Sequence, residues 1–316
     1  MQGYAGLPCL RRLAFDKCNG AAMLLSCMRL PTRTACSFQV ERKRPGPGDI
    51  CPSDISSLDN LRDLTRFTLH FECDIDNFYT VYAVGTCAAF RGGPWSGGED
   101  YYIERTLKEM SVIFCNTEEL WLDGLRLYGM EVQRLRSLIL EMGNLQRMTI
   151  FIEEDTSRQA CLEALLPHGD LIPVAFLSEM HITVSLDSQA LYEKLFNVLS
   201  SRRSRGTVLE QLKLYVRSPD PKPTPEPRSP VVTELLLKGT VAMLSPLVRH
   251  LEIYVDGVLP AMQLNSACTS LSGAPWQPPP WQVEMQDDSS AEEEEEGEDE
   301  DEDDEYEDYC RCRCHR

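Results

Sequence analysis

Along this chain one spacing of apolar and polar positions recurs: apolar, two polar residues, apolar, then apolar at every second place. It reads Leu145, Met148, Ile150, Ile152, then Leu177, Met180, Ile182, Val184, then Leu209, Leu212, Leu214, Val216, each start 32 residues after the last. Two further copies fit off the period, at Leu64/Phe67/Leu69/Phe71 and Val248/Leu251/Ile253/Val255. In a chain that is 42% hydrophobic, about two such matches arise by chance. Five, three of them in phase, point to a repeat. Alternation at period two within each copy predicts a strand.

The intervening residues predict helices. Glu153-Glu154-Asp155 can cap a helix carrying Cys161, Leu162, Leu165 and Leu166, stopped by Pro167. Asp187 and Ser188 can cap another whose apolar face is Leu191, Leu195, Val198 and Leu199, ended by Arg202, Arg203 and Gly206. Val132, Leu135, Ile139 and Met142 make a third face, closed by Gly143, and Ile103, Leu107, Met110 and Phe114 a fourth. Parallel strands need crossovers, which these helices supply. The pattern therefore predicts an α/β fold: a leucine-rich-repeat-like solenoid with parallel strands on the concave side and helices on the convex side.

Outside the middle the repeat degrades. Leu120 and Leu122 keep only its core, with Gly124 interrupting, and Leu10/Leu13/Phe15 is a similar partial copy. Residues 79–102, with Gly92-Gly93-Pro94 and Gly97-Gly98, read as a loop insertion. Residues 218–230 hold six prolines and read as an exposed polyproline-like loop, followed by a helix through Leu244. The expected organisation is an irregular segment 1–57 with a partial repeat and a Pro/Gly linker, the solenoid 58–259, a Pro/Trp linker 260–286, and a tail 287–316.

Charge changes this picture in one place. The formal net charge is -19, but residues 287–309 hold 17 acidic groups and no basic ones. The body 1–286 carries only -5, and the last seven residues +3. Glu292 to Asp308 is self-repelling and nearly free of apolar groups, so it is predicted to be a disordered acidic tail, either solubilising or attractive to basic proteins. Phosphates would be repelled, which argues against nucleic acid as a partner. No apolar run is long enough to span a membrane or serve as a signal core, so the expected location is intracellular, cytoplasmic or nuclear, with no membrane partner.

The reactive residue types assemble no reaction. Thirteen cysteines include a nine-residue spacing at Cys9, Cys18, Cys27 and Cys36, with nothing else repeating alongside. Cys310, Cys312, Cys314 and His315 lack the paired two-residue spacing of a structural zinc site. Arg91 to Gly98 lacks the Gly-Lys-Ser/Thr ending of a phosphate loop, and no Gly-x-Ser-x-Gly or His-Glu-x-x-His occurs. His70 and His181 fall on strand faces away from the anchors, and His250 is a polar spacer. The expectation is a non-enzymatic protein with no cofactor and no metal.

What a repeat of this kind offers is its concave sheet. If the anchors face the helices, the residues between them face out. That places Thr149 and Phe151, His181 and Thr183, Lys213 and Tyr215, Glu252 and Tyr254 in adjacent columns, with Trp121 beside them. Exposed aromatics among mixed charges match a protein-binding face; packed on one another, they would only stabilise the sheet.

The run Tyr102 to Phe114, then Glu118-Glu119-Leu120-Trp121-Leu122, resembles the C-terminal halves of the large fungal F-box family with degenerate leucine-rich repeats. So do Met148-Thr149-Ile150 through Arg158 and the Ala164-Leu165-Leu166-Pro167 helix end, within a likeness covering about residues 60–255. That resemblance implies a substrate receptor, whose repeats grip a target protein while an N-terminal F-box engages the adaptor of a cullin-type ubiquitin ligase. No F-box is visible here: Leu30-Pro31 is followed by no helical period. The chain is also similar to acidic leucine-rich nuclear phosphoproteins, which implies histone or other basic partners, but their repeats are shorter.

Overall fold

In a computed structural model, residues 5–6, 9–10, 12–16, 21–39, 58–62, 64–72, 78–86, 88–96, 114–124, 127, 132–168, 173–186, 188–217, 230–256 and 260 are described. Their strands in chain order are β1 (Ala5–Gly6), β2 (Arg12–Asp16), β3 (Met28–Arg29), β4 (Ala35–Gln39), β5 (Leu64–Glu72), β6 (Phe78–Gly85), β7 (Ala89–Ser96), β8 (Glu119–Gly124), β9 (Arg147–Ile152), β10 (Glu179–Ser185), β11 (Leu209–Arg217) and β12 (Val248–Val255). The helices are α1 (Ala21–Ser26), α2 (Asp59–Arg62), α3 (Val132–Glu141), α4 (Asp155–Ala164), α5 (Gln189–Ser204) and α6 (Pro230–Leu244).

Ten strands make one sheet in the order β12-β11-β10-β9-β8-β5-β6-β7-β4-β2, while β1 and β3 pair separately. Every strand of the large sheet runs the same way except β6, which is antiparallel to both neighbours. The chain is thus a mixed α/β protein with an open, mostly parallel sheet. From β8 to β12 the strands succeed one another in chain order, with α3, α4, α5 and α6 between them as crossovers. Parallel pairing demands such returns.

The recurring apolar spacing is what sets the register. Phe67, Leu120, Met148, Met180, Leu212 and Leu251 stand opposite one another across six strands, and Leu69, Leu122, Ile150, Ile182, Leu214 and Ile253 form the next row. A slip by one residue would turn every anchor to the other face. On the anchor side Leu135 and Ile139 of α3, Cys161 and Leu162 of α4, and Leu191, Leu195 and Leu199 of α5 complete a single core with them. The helices expected around 132–142, 155–166, 189–203 and up to Leu244 are all present.

Two expectations are corrected. Residues 79–102 contain strands β6 and β7 rather than a loop. Tyr79-Thr80-Val81-Tyr82-Ala83-Val84 is rich in β-branched and aromatic residues, and β7 is paired on both sides, so tertiary pairing overrides the glycines. The register of β6 on β7 shifts between Tyr79 and Val81, opposite Gly92 to Trp95. Pro94 therefore falls where the ladder is already interrupted and its missing donor costs least. The segment 1–57 is not merely irregular either, since β2 and β4 extend the main sheet. Leu13 and Cys36 continue the row of Phe90, Ala83 and Phe67. The predicted helix residues Ile103, Leu107 and Met110, the proline-rich residues 218–229, and the linker and acidic tail beyond residue 260 lie outside the described residues.

Two local features hold the repeats together. Gly124 has φ +119, and a Cβ there would lie 2.0 Å from the backbone oxygen of Phe71 on the adjacent strand. The interruption of the pattern at Gly124 is thus a close backbone approach. Arg202, on the last turn of α5, is fully buried and donates to the carbonyls of Pro173, Val174 and Leu177. It ties the turn that leads into β10 to the helix that leaves it. Burial alone pulls its pKa down to about 10.

Gly124→Ala should lower stability by about 3 kcal/mol, because backbone, not a flexible side chain, must move. Thermal unfolding checks this, and a midpoint equal to wild type would show that β5 and β8 separate more readily than the geometry implies.

Candidate partner-binding face

Side chains alternate along a strand, so the residues between the anchors share the sheet face away from the helices. Across β5 and β8 to β12 three transverse rows result. The first carries Arg66, Glu119, Arg147, Glu179, Gln211 and His250; the second, Thr68, Trp121, Thr149, His181, Lys213 and Glu252. The third carries His70, Asp123 and Phe151, then Thr183, Tyr215 and Tyr254. All nine residues singled out in the sequence, Trp121, Thr149, Phe151, His181, Thr183, Lys213, Tyr215, Glu252 and Tyr254, lie in the second and third rows.

Their exposure differs from expectation. Trp121, Phe151, His181 and Tyr215 are buried, Thr149 and Thr183 fully so; Lys213 and Glu252 are half-buried, and Tyr254, at 40%, is exposed. The aromatic rings consume one another's surface. Trp121 packs edge-on against Phe151 with centroids 5.7 Å apart, Phe151 against Tyr215 at 5.5 Å, and Tyr215 stacks on Tyr254 at 5.0 Å. Such pairs add about 0.5–1.5 kcal/mol each beyond burial. With Ala35, Tyr82, Val84 and Ala89 the first three rings form a second apolar cluster, separate from the helix-side core. This is cross-strand packing of large side chains whose cheapest partner is the next ring along the row.

The first row carries most of the charges, and alternation counted from the second anchor onward does not reach it. One step upstream, the polar spacer before that anchor is Arg66, Glu119, Arg147 or Glu179 in successive copies. Arg147 lies between two carboxylates, its Nη1 2.9 Å from Glu119 Oε2 and its Nε 2.6 Å from Glu179 Oε2. Glu179 also accepts from His181 Nε2 at 2.7 Å and Lys213 Nζ at 3.4 Å, and Glu119 from the indole N–H of Trp121 at 2.5 Å. Tyr254 and Gln211 both donate to Glu252, at 2.5 and 2.6 Å. Thr65, Arg66, Glu118, Glu119, Gln146, Arg147, Ser178 and Glu179 line a pocket of about 170 Å³ where the parallel strands begin.

Burial and charge compete at each titrating group. For Glu179 burial works against the carboxylate, but the hydrogen bonds and charges of Arg147 and His181 outweigh it and hold the pKa at about 2. Arg147 is held above its ordinary range in spite of burial, through Glu179 and Glu119. Burial moves His181 down, assisted by Lys213 and Arg147 and only partly offset by Glu179. Burial also pushes the Tyr215 phenol up to about 12, with Tyr254, Glu252 and Glu179 adding to it. At neutral pH the face therefore presents a fixed pattern of formal charge around an uncharged imidazole.

A second pair sits at the other end of the rows. His70 Nδ1 and Asp123 Oδ2 are 2.5 Å apart, both largely buried, joining β5 to β8. Burial raises the Asp123 pKa against the opposing effect of His70. A histidine beside a carboxylate is half of a general-base arrangement, which needs a nucleophile or substrate atom to act upon. Here the pair is a buried hydrogen bond between neighbouring strands. Among the described residues no group of three or more His, Cys, Asp or Glu is placed to hold a metal ion, and no helix is long and apolar enough to cross a membrane. Comparison with family models, with curated proteins and with solved structures finds no match.

The Glu179 shift fixes a pH dependence. Its folded pKa of about 2 lies below the ordinary 4.5. The stability it contributes is therefore complete above about pH 4.5 and is lost as pH falls toward 2. Glu179→Gln should flatten that part of the acid limb in thermal unfolding measured at stepped pH. An acid limb superposable on that of wild type would show that the carboxylate is not held by its partners.

Proposed function

We propose that the protein is a non-enzymatic recognition scaffold: a degenerate leucine-rich-repeat solenoid that grips a target protein across the sheet face opposite its helices. The observation that carries this reading is the in-register set of rows, which holds charged and polar side chains in fixed positions over six adjacent strands. Salt bridges fix the charges of Glu119, Arg147, Glu179 and Lys213 before any partner arrives, so little side-chain entropy remains to be lost on binding. Buried Trp121, Phe151 and Tyr215 stiffen this platform, while Lys213, Glu252 and Tyr254 are the members open enough to touch a partner.

The finer reading rests on the resemblance to fungal F-box proteins. In it, the repeats select a substrate and residues N-terminal to them couple it to the adaptor of a cullin-type ubiquitin ligase. Among the described residues the first 57 contribute strands β2 and β4 to the sheet, so adaptor contact would have to use what remains around them. A second reading is favoured by the 17 acidic groups within residues 287–309: capture of histones or other basic proteins by this run of like charge.

Co-purification separates the two. The first expects a ligase adaptor subunit that is lost on deleting residues 1–60, together with a target whose binding falls at least about tenfold in Lys213→Glu/Glu252→Lys, the loss of a few charged contacts. The second expects salt-sensitive histone binding that disappears when residues 287–316 are removed. If the full chain captures neither adaptor nor histone, both readings fall.

A further inference from the structure

The sheet does not end as its middle predicts. Within β11, Leu212 and Leu214 are fully buried and Val216 is 1% exposed, whereas the corresponding Leu251 and Ile253 of β12 are only half-buried and Val255 is 43% exposed. Among the described residues β12 pairs only with β11 and is the outermost strand on this side. Edge strands are normally blunted by lysine, proline, a bulge or brevity. β12 has no lysine, proline or bulge: it is eight residues long, reads Val-Arg-His-Leu-Glu-Ile-Tyr-Val with formal charge only at Arg249 and Glu252, and holds one register on β11 throughout. An edge that no other described strand covers, with partly exposed anchors, is a template for one more strand.

We propose that this edge is the interface of a two-fold symmetric homodimer, in which β12 pairs antiparallel with β12 of a second copy. The argument for a second copy is that the strand is self-complementary. A two-fold axis normal to the sheet keeps the helix-side residues of both copies on one face, as an isologous interface requires. With the axis at Ile253, Leu251 stands opposite Val255 twice, extending the anchor rows across the boundary. On the other face Glu252 stands opposite Tyr254, a phenol that already donates to that carboxylate within the strand. Moving the axis to Glu252 would set two carboxylates face to face, and moving it to Leu251 would put Arg249 against Ile253; like charges and mismatched pairs disfavour both. Pairing β12 with β2, the opposite edge strand, would be head-to-tail and would propagate an open filament.

Sedimentation equilibrium of the full chain tests this, with amide exchange of residues 248–255 at low and high protein concentration. The expected result is a species of twice the 35.8 kDa chain mass, with β12 amides protected more at high concentration. Val255→Lys, at an exposed position, should weaken association at least about tenfold, since a charge replaces an apolar contact at two symmetric places. Should that variant fail to fold by circular dichroism, Tyr254→Glu sets carboxylate against carboxylate on the opposite face and should weaken association likewise. A monomer at all concentrations overturns the proposal. So does a dimer indifferent to both variants, and so does a monomer whose β12 amides are protected at any concentration, because the edge is then covered within one chain.

Discussion

Parallel pairing in a single register is the constraint on which the rest of the molecule depends. Once Met148, Met180 and Leu212 are level, the anchors above and below them are level too, and every intervening side chain is committed to the other face. The helix-side core then closes with Leu, Ile, Val and Cys from α3, α4 and α5. Each crossover must return the chain to the starting end of the sheet, so the strand beginnings lie together. There the backbone links neighbouring repeats directly: the carbonyl of Glu118 accepts from Gln146 and Arg147, that of Gln146 from Ser178 and Glu179, and that of Ser178 from Glu210 and Gln211.

The same constraint produces two faces of different chemistry. One is apolar and mostly aliphatic. The other carries aromatic rings beside charged side chains, because alternation brings residues from every strand to the same levels of one face. Neither row is a site contributed by a single segment. Arg147 is held by carboxylates from the strands on both sides of it, and the ring contacts run from Trp121 on β8 to Tyr254 on β12. The charges are consequently positioned by the sheet and not by local sequence. A shift of register in any one strand would dissolve the pattern.

The two ends of the sheet are unlike its middle. Toward β2 the chain departs from the simple order of strand after strand, since β5, β6 and β7 run back across the sheet before β8 resumes. Gly124 permits the tightest approach at this change of direction, with no room for a side chain against Phe71. Toward β12 the order is kept, but among the described residues the last anchors lack the further strand that covers their counterparts in β11.

From the sequence alone, the strands β5 and β9 to β12, the helices α3 to α6 and the division of residues between two faces were legible. Period-two and helical spacings are local properties, and caps and stops such as Pro167 and Gly206 lie beside the segments they end. The strands β6 and β7 were not legible, because Gly92, Gly93 and Pro94 argue locally for a loop and only pairing on both sides makes them strand. That Trp121, Phe151 and Tyr215 share one side of the sheet follows from alternation, but their burial was not legible, since it depends on the distance between strands. Whether Glu179 titrates near 2 was likewise beyond the sequence, because Arg147 lies 32 residues away. Local spacing determines which way a side chain points; only the assembled sheet determines what it meets there, because its neighbours come from other repeats.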